Sequence, residues 1–263
     1  MSRPLAAITG ASSGIGEVFA RRLAVDHDLL LIARRRDRLE KLGAELFRQH
    51  GSAVEILAAD LTGDKDLALV ETRLAAEPRL ELLINNAGFG TKGLFWETPL
   101  EGQEQMHALH VIAPMRLCRA ALGAMVPRDH GGIINVASVA AFIRRAGGAS
   151  YGSTKSWMTV FTEALYLELR SVGSHVAVQA LCPGFTYSEF HDAMKVSRES
   201  MASSSFWLTA EEVVDASLEG LRNRKLFVIP GWRYRMIVAL VTKLPAMLRV
   251  AIESRIARER SAK

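Results

Sequence analysis

Cysteine is nearly missing from this chain: two in 263 residues, Cys118 and Cys182. Two isolated thiols build neither a disulfide framework nor a thiolate metal site, and they read as reduced cysteines of a cytoplasmic protein. Clusters of His, Cys, Asp and Glu at metal-ligand spacing are also missing, so no metal is expected. No apolar run reaches the ~18 residues of a membrane span. A glycine-rich stretch begins within ten residues of Met1, and no signal-peptide pattern precedes it. Aromatic residues make up only 7% and are not interleaved with basic ones, which argues against nucleic acid as a partner. Low-complexity tracts, internal repeats and linkers are absent too.

What is present is a large apolar fraction, 49%, and a modest net charge of +5. Basic clusters at 34–36, 144–145 and 255–260 carry much of that charge, and a phosphorylated ligand would suit it. Apolar strand-like runs lie near 4–9, 28–33, 53–59, 80–85, 131–137, 175–181 and 226–229, with helical patterns between them. Repeated βα alternation predicts an α/β fold: a doubly wound sheet of about seven parallel strands, helices on both faces. Ligands in such sheets bind beyond the carboxyl ends of the strands.

The first run, Pro4 to Ile8, passes straight into Thr9-Gly-Ala-Ser-Ser-Gly-Ile-Gly16 and then a helical pattern. Strand, glycine turn and helix in that order suit a dinucleotide pyrophosphate: glycines admit the phosphates and the helix N-terminus offers free N–H groups. Gly10, Ser12, Ser13, Gly14, Ile15 and Gly16 are therefore candidate cofactor contacts. The second run ends in Ala33-Arg34-Arg35-Arg36, where a free ribose 2′-OH would favour Asp or Glu. Arginine suits a 2′-phosphate instead, so Arg34 and Arg35 point to NADP(H).

Tyr151 and Lys155 lie four residues apart in a helical pattern from Gly148 to Arg170 and share one face. An ammonium beside a phenol favours the phenolate and lowers its pKa, which makes a usable proton donor or acceptor. Ser138 lies thirteen residues upstream, after an apolar strand.

Thr9-Gly-Ala-Ser-Ser-Gly-Ile-Gly16, Asp60-Leu61, Asn85-Asn-Ala-Gly88, Ser138, Tyr151-x-x-x-Lys155 and Pro183-Gly184 stand together in this order. With them the chain resembles the short-chain dehydrogenase/reductase family over nearly its whole length. The resemblance implies a Rossmann-like fold, NADP(H) as cofactor, and hydride transfer between the nicotinamide and a carbonyl or alcohol. It further implies a homodimer or homotetramer. By the same resemblance Tyr151 exchanges the proton, Ser138 holds the substrate oxygen and Lys155 bonds the nicotinamide ribose. Asp60 and Leu61 would border the adenine. Asn86, Ala87 and Gly88 would line the cofactor path, and Pro183, Gly184, Phe185, Thr186 and Ser188 the nicotinamide.

The family places an Asn in a proton relay where this chain has His110, so the imidazole is expected to join that relay to Lys155 and to titrate near neutral pH. Residues 189–207 interrupt the alternation, and in the family such segments cover the substrate. Phe190, Met194, Met201, Phe206 and Trp207 favour an apolar ketone or aldehyde, an acyl-thioester or lipid ketone being the alternative. A sensor that binds NADP(H) without turnover is a reading of another class. Residues 1–231 read as a single catalytic domain. Residues 232–263 read as an amphipathic helical tail, broken at Pro245, that packs on that domain or on a partner subunit. Peripheral binding to a lipid surface is the other reading of the tail.

Overall fold

The computed structural model describes residues 3–91, 93–189 and 204–261. Seven parallel strands form one sheet: β1 (Leu5–Thr9), β2 (Asp28–Ala33), β3 (Val54–Ala58), β4 (Leu80–Asn85), β5 (Gly132–Val136), β6 (Ala177–Leu181) and β7 (Phe227–Val228). Their order across the sheet is β3-β2-β1-β4-β5-β6-β7. Parallel strands need crossovers, and helices supply them on both faces. One face carries α1 (Gly14–Leu23), α2 (Arg36–His50) and α7 (Ala210–Arg222). The other carries α3 (Asp64–Ala75), α5 (Ala113–Arg128) and α6 (Ala149–Ser171).

Side chains alternate along β1 and feed both cores. Ala6 and Ile8 pack with Phe19, Leu39 and Val213; Leu5 and Ala7 pack with Val70, Leu117 and Leu169. Aliphatic side chains dominate both cores, which explains why these strands are continuous apolar runs without polar alternation.

The order in which successive strands are added reverses between β1 and β4, which stay parallel. A crevice opens at such a switch point, beyond the strand ends. Thr9 and Asn86 stitch its two lips. Thr9 Oγ1 accepts from the Asn86 and Ala87 N–H groups at 2.9 and 3.0 Å, while Asn86 Nδ2 donates to Thr9 O at 3.0 Å.

One feature departs from sequence expectation. From Leu100 to Arg128 the chain is a single helix, α4 (Leu100–His107) running through a π turn (Ala108–Ile112) into α5. By length and composition it could cross a membrane. Here Ala113, Leu117, Cys118, Ala121 and Met125 are buried in the second core.

The tail forms α8 (Trp232–Lys243) and α9 (Ala246–Ser261). Leu244 is extended before Pro245, as proline demands of its neighbour, and so separates the two helices.

Candidate active site

Three segments converge beyond the strand ends. After β1, Gly10 and Gly14 take φ of 67° and 56°, the left-handed region that favours glycine. A Cβ on Gly10 would lie 2.8 Å from Asn86 Nδ2 and 2.9 Å from Ala87 Cα, and one on Gly16 would overlap the Gly10 carbonyl. The loop is thus tight against the segment after β4. Ser13 caps α1 without a side-chain hydrogen bond, so its hydroxyl does not occupy the N–H groups at that helix start. This cradle fits a pyrophosphate.

Arg35 lies across the same loop. Its guanidinium donates to Ser12 Oγ at 2.9 Å and to Ser13 Oγ at 2.9 Å. Glu189 then bridges two arginines, accepting from Arg35 at 2.8 Å and Arg38 at 2.6 Å. The pair holds the Glu189 carboxyl down at about 2. A carboxylate clamped between two guanidinium groups marks a seat for an anion. Arg34 is exposed, as is Arg38, and no ion pair joins Arg34 to Glu189 among the described residues. Arg38 was not singled out from sequence, though its spacing on α2 from Arg35 was a usable signal.

Asp60 Oδ1 accepts from both Thr62 N–H and its hydroxyl, and Leu61 is buried. Leu61, Thr9, Ala87, Leu109 and Pro114 line one apolar pocket beside the β1–β4 crevice.

Ser138 follows β5 and caps the short helical turn Val139–Ala141, accepting from the Ala140 N–H at 3.1 Å. The Val139 N–H reaches Pro183 O at 3.0 Å, which pins this segment to the loop after β6. The Ser138 hydroxyl also hydrogen-bonds the Tyr151 phenol. Lys155, one turn along α6, is buried and donates to Val136 O at 2.8 Å; its Nζ lies 5.8 Å from the Tyr151 ring centre. Ser138, Tyr151 and Lys155 therefore meet at one point.

Their electrostatics differ from the sequence argument. Burial pushes the Tyr151 phenol up to about 12, and the Ser138 hydrogen bond only moderates this. Burial likewise brings Lys155 down to about 8, with Cys182 acting against it. Spacing alone suggested a phenol lowered by its lysine. Desolvation dominates instead, both for the buried Lys155 and for the phenol of the partly buried Tyr151.

His110 is fully buried beside them, its ring edge-on to Tyr151 at 5.9 Å between centres. The Phe89 N–H donates to Nε2 at 3.2 Å, which leaves the proton on Nδ1, 3.0 Å from Thr154 Oγ1. Thr154 in turn donates to Tyr151 O at 2.9 Å. Both ring nitrogens are thus engaged. Burial first, then Lys155, hold His110 well below the usual histidine range. The expected titration near neutral pH is therefore corrected: a desolvated imidazole beside an ammonium stays neutral there. The π turn sets the ring's direction, a feature common where helices carry functional side chains.

This neutrality predicts an acid-stability effect. The unfolded imidazole binds protons below about pH 6.5 and the folded one does not. Stability is present above that pH and is lost as pH falls below it. His110→Asn should remove that component, so urea midpoints at about pH 7.5 and about pH 5.5 should differ less than in wild type. Equal acid losses in both proteins would refute it.

The loop after β6 closes the site. Thr186 is buried and donates to Gly184 O at 3.1 Å, and Ser188 lies over Gly14. Phe185 stacks on Trp207 at 5.4 Å, with Tyr187 against the same indole at 5.0 Å. Of the residues expected to cover the substrate, Phe190, Met194 and Met201 lie outside the described residues. Tyr234 of α8 was missed from sequence. Its hydroxyl accepts from the Phe185 N–H at 2.9 Å and donates to Phe206 O at 2.7 Å. Any Cβ on Gly184 would overlap its ring, so glycine is required there.

Residues 4–198 match the family model described as short chain dehydrogenase. The chain belongs to this family. It is 31% identical over 231 residues to an NADP-dependent 3-hydroxy acid dehydrogenase of Schizosaccharomyces pombe, covering 84% of this chain and 88% of that one. Among solved structures it is similar to a short-chain dehydrogenase from Sphingobium yanoikuyae in complex with NADPH. That pair shares 36% identity with a TM-score of 0.83, over 92% and 97% of the two chains. A bulky-bulky ketone specific alcohol dehydrogenase from Comamonas testosteroni is 32% identical, TM-score 0.79, over 94% and 96%. This short-chain dehydrogenase is thus an oxidoreductase of the hydride-transfer class.

Proposed function

We propose that this short-chain dehydrogenase is an NADPH-dependent carbonyl reductase acting on an apolar ketone or aldehyde. The observation that carries the reading is the meeting of Ser138, Tyr151 and Lys155 beside the glycine cradle and its arginine pair. NADPH, when bound, supplies the hydride. Gly10 to Gly16 would hold its pyrophosphate, and Arg35 with Arg38 its 2′-phosphate, in the seat that Glu189 shares. The Sphingobium and yeast relatives named above support that choice of dinucleotide.

Tyr151 keeps its proton up to about 12, so at neutral pH it is a donor. Carbonyl reduction is the direction such a phenol serves, because the substrate oxygen must take up a proton as it gains charge. Ser138, fixed by Ala140, donates a hydrogen bond to the same oxygen and holds it in reach of the phenol. Lys155 in its ammonium form stabilises the phenolate left behind. His110 and Thr154 orient the first turn of α6 and carry no proton in this scheme. A sensor without turnover has no use for this convergence. Phe95 lines the cleft beside Tyr151 together with Thr91, Thr98 and Gln103, while Phe185, Trp207 and Tyr187 form an aromatic wall across the post-β6 loop. That aromatic wall favours an apolar substrate over a charged one.

A panel of aryl and alkyl ketones, aldehydes and acyl-thioesters, followed by NADPH consumption, tests the reading. Consumption that no carbonyl compound stimulates overturns it. A pH profile adds a second check. Lys155 loses its charge as pH rises past about 8. The reduction rate should hold near neutral pH and fall about tenfold per unit on the alkaline side. A rate unchanged up to about pH 10 would remove Lys155 from its role.

A further inference from the structure

Charge is unevenly distributed along this chain. Residues 232–263 contain eight Lys and Arg against two Glu, a net +6, whereas the whole chain is +5. Residues 1–231 therefore sum to −1. The basic character resides in α8 and α9.

Those helices also carry exposed apolar residues on the side away from the domain. On α8, Tyr234 and Val238 are buried, and Tyr234 meets the post-β6 loop at the Phe185 N–H. Trp232, Met236 and Leu240, spaced four apart, are 61%, 66% and 64% exposed. A surface helix normally turns its polar side outward. Here the outward stripe is apolar, flanked by the exposed cations Arg233, Arg235 and Lys243. The pattern continues past Pro245. Met247 is 80% exposed, and Leu248, Val250 and Ile252 are exposed as well. No side chain described on α9 is buried. A helix of this length gains little stability in water unless some face is covered.

We propose that α8 and the first half of α9 form a docking surface for an anionic lipid bilayer. Trp232, Met236, Leu240 and Met247 enter the boundary between headgroups and acyl chains. The surrounding Arg and Lys side chains meet anionic headgroups. Charge decides between occupants. A second copy of the chain joined symmetrically through this face would set Arg233, Arg235, Lys243 and Arg249, offset only by Glu253, against the same set, +3 against +3. A nucleic acid would take the cations and leave the apolar stripe in water. A bilayer with anionic lipids satisfies both features together. The surface lies on the outer side of the helix whose inner side, through Tyr234, supports Gly184 and Phe185. Docking would hold the active-site loop close to the lipid. The inference does not depend on the carbonyl-reductase reading, because binding is measured without turnover.

Flotation of the full chain with vesicles tests it. Binding to phosphatidylcholine–phosphatidylglycerol vesicles should exceed binding to pure phosphatidylcholine by about tenfold or more, and should weaken steeply with added salt. Trp232 emission should shift to the blue on binding, and Trp232→Phe should remove that shift. The Met236→Asp/Leu240→Asp protein should stay in solution with its NADPH affinity unchanged. Should that protein fold poorly, the exposed charge swap Arg233→Glu/Lys243→Glu must lose flotation instead. No flotation of wild type overturns the proposal, as does equal flotation of both variants. So does a halved mass of either variant in solution when wild type ignores vesicles, since a second copy would then cover this face.

Discussion

Tyr151→Phe is expected to cut turnover by about 10²- to 10⁴-fold, the scale of a positioned proton-transfer group, while NADPH binding persists. The substitution keeps the ring, so its packing against His110 survives. It removes the phenolic proton that the proposed reduction delivers to the substrate oxygen. The hydrogen bond to Ser138 is lost as well, which leaves the serine to hold the substrate alone. Steady-state rates with any ketone found active, together with NADPH titration of the free protein, separate the two effects. Turnover within about tenfold of wild type would show that another group supplies the proton. A protein that no longer binds NADPH would place Tyr151 in the cofactor seat and not in proton transfer.

The second large effect concerns the choice of dinucleotide. Arg35→Ala should weaken NADPH by about tenfold or more, the range for a charge-assisted hydrogen bond, and should leave NADH nearly unchanged. Arg35 is the arginine that crosses the glycine loop to Ser12 and Ser13. Arg38 shares the Glu189 carboxylate with it, so Arg38→Ala should act in the same direction and less strongly. Arg34 contacts neither the glycine-loop serines nor Glu189 among the described residues, and its loss should matter least. Glu189→Gln removes a competing anion from between the two arginines and should tighten NADPH. Calorimetric titration of each variant with NADPH and NADH reads all four. The assignment is wrong if Arg35→Ala loses both dinucleotides alike, or if Arg34→Ala proves the most damaging.

Both effects rest on residues whose chemistry the linear sequence announces to different degrees. The glycine turn was legible because its requirements are local. A strand, three glycines and a helix start follow one another within sixteen residues, and positive φ at Gly10 and Gly14 realises them. Tyr151 and Lys155 were legible for the same reason: four residues on a helix share a face, and α6 spans Ala149–Ser171 around them. The parallel sheet followed from alternation, since continuous apolar strands need cover on both sides.

Tertiary structure decided the rest. Spacing on α6 gave the direction of Lys155 but not its depth, and depth is what raises Tyr151 and lowers Lys155. His110 could be aligned to a relay position from sequence. Only the π turn and the partners Phe89 and Thr154 reveal an imidazole with both nitrogens engaged and no proton to gain. The run of three arginines after β2 announced an anion, yet that Arg35, together with Arg38, pairs with Glu189 depended on a residue more than 150 positions away. Tyr234 under Gly184 gave no sequence signal, because it pairs a tail helix with a loop 49 residues earlier. Composition alone located the positive charge of the tail. Whether its apolar residues were buried or exposed was a property of packing, and packing left Trp232, Met236 and Leu240 facing out. Local chemistry is written in adjacent residues; desolvation, long-range ion pairs and exposed faces arise only when distant segments meet.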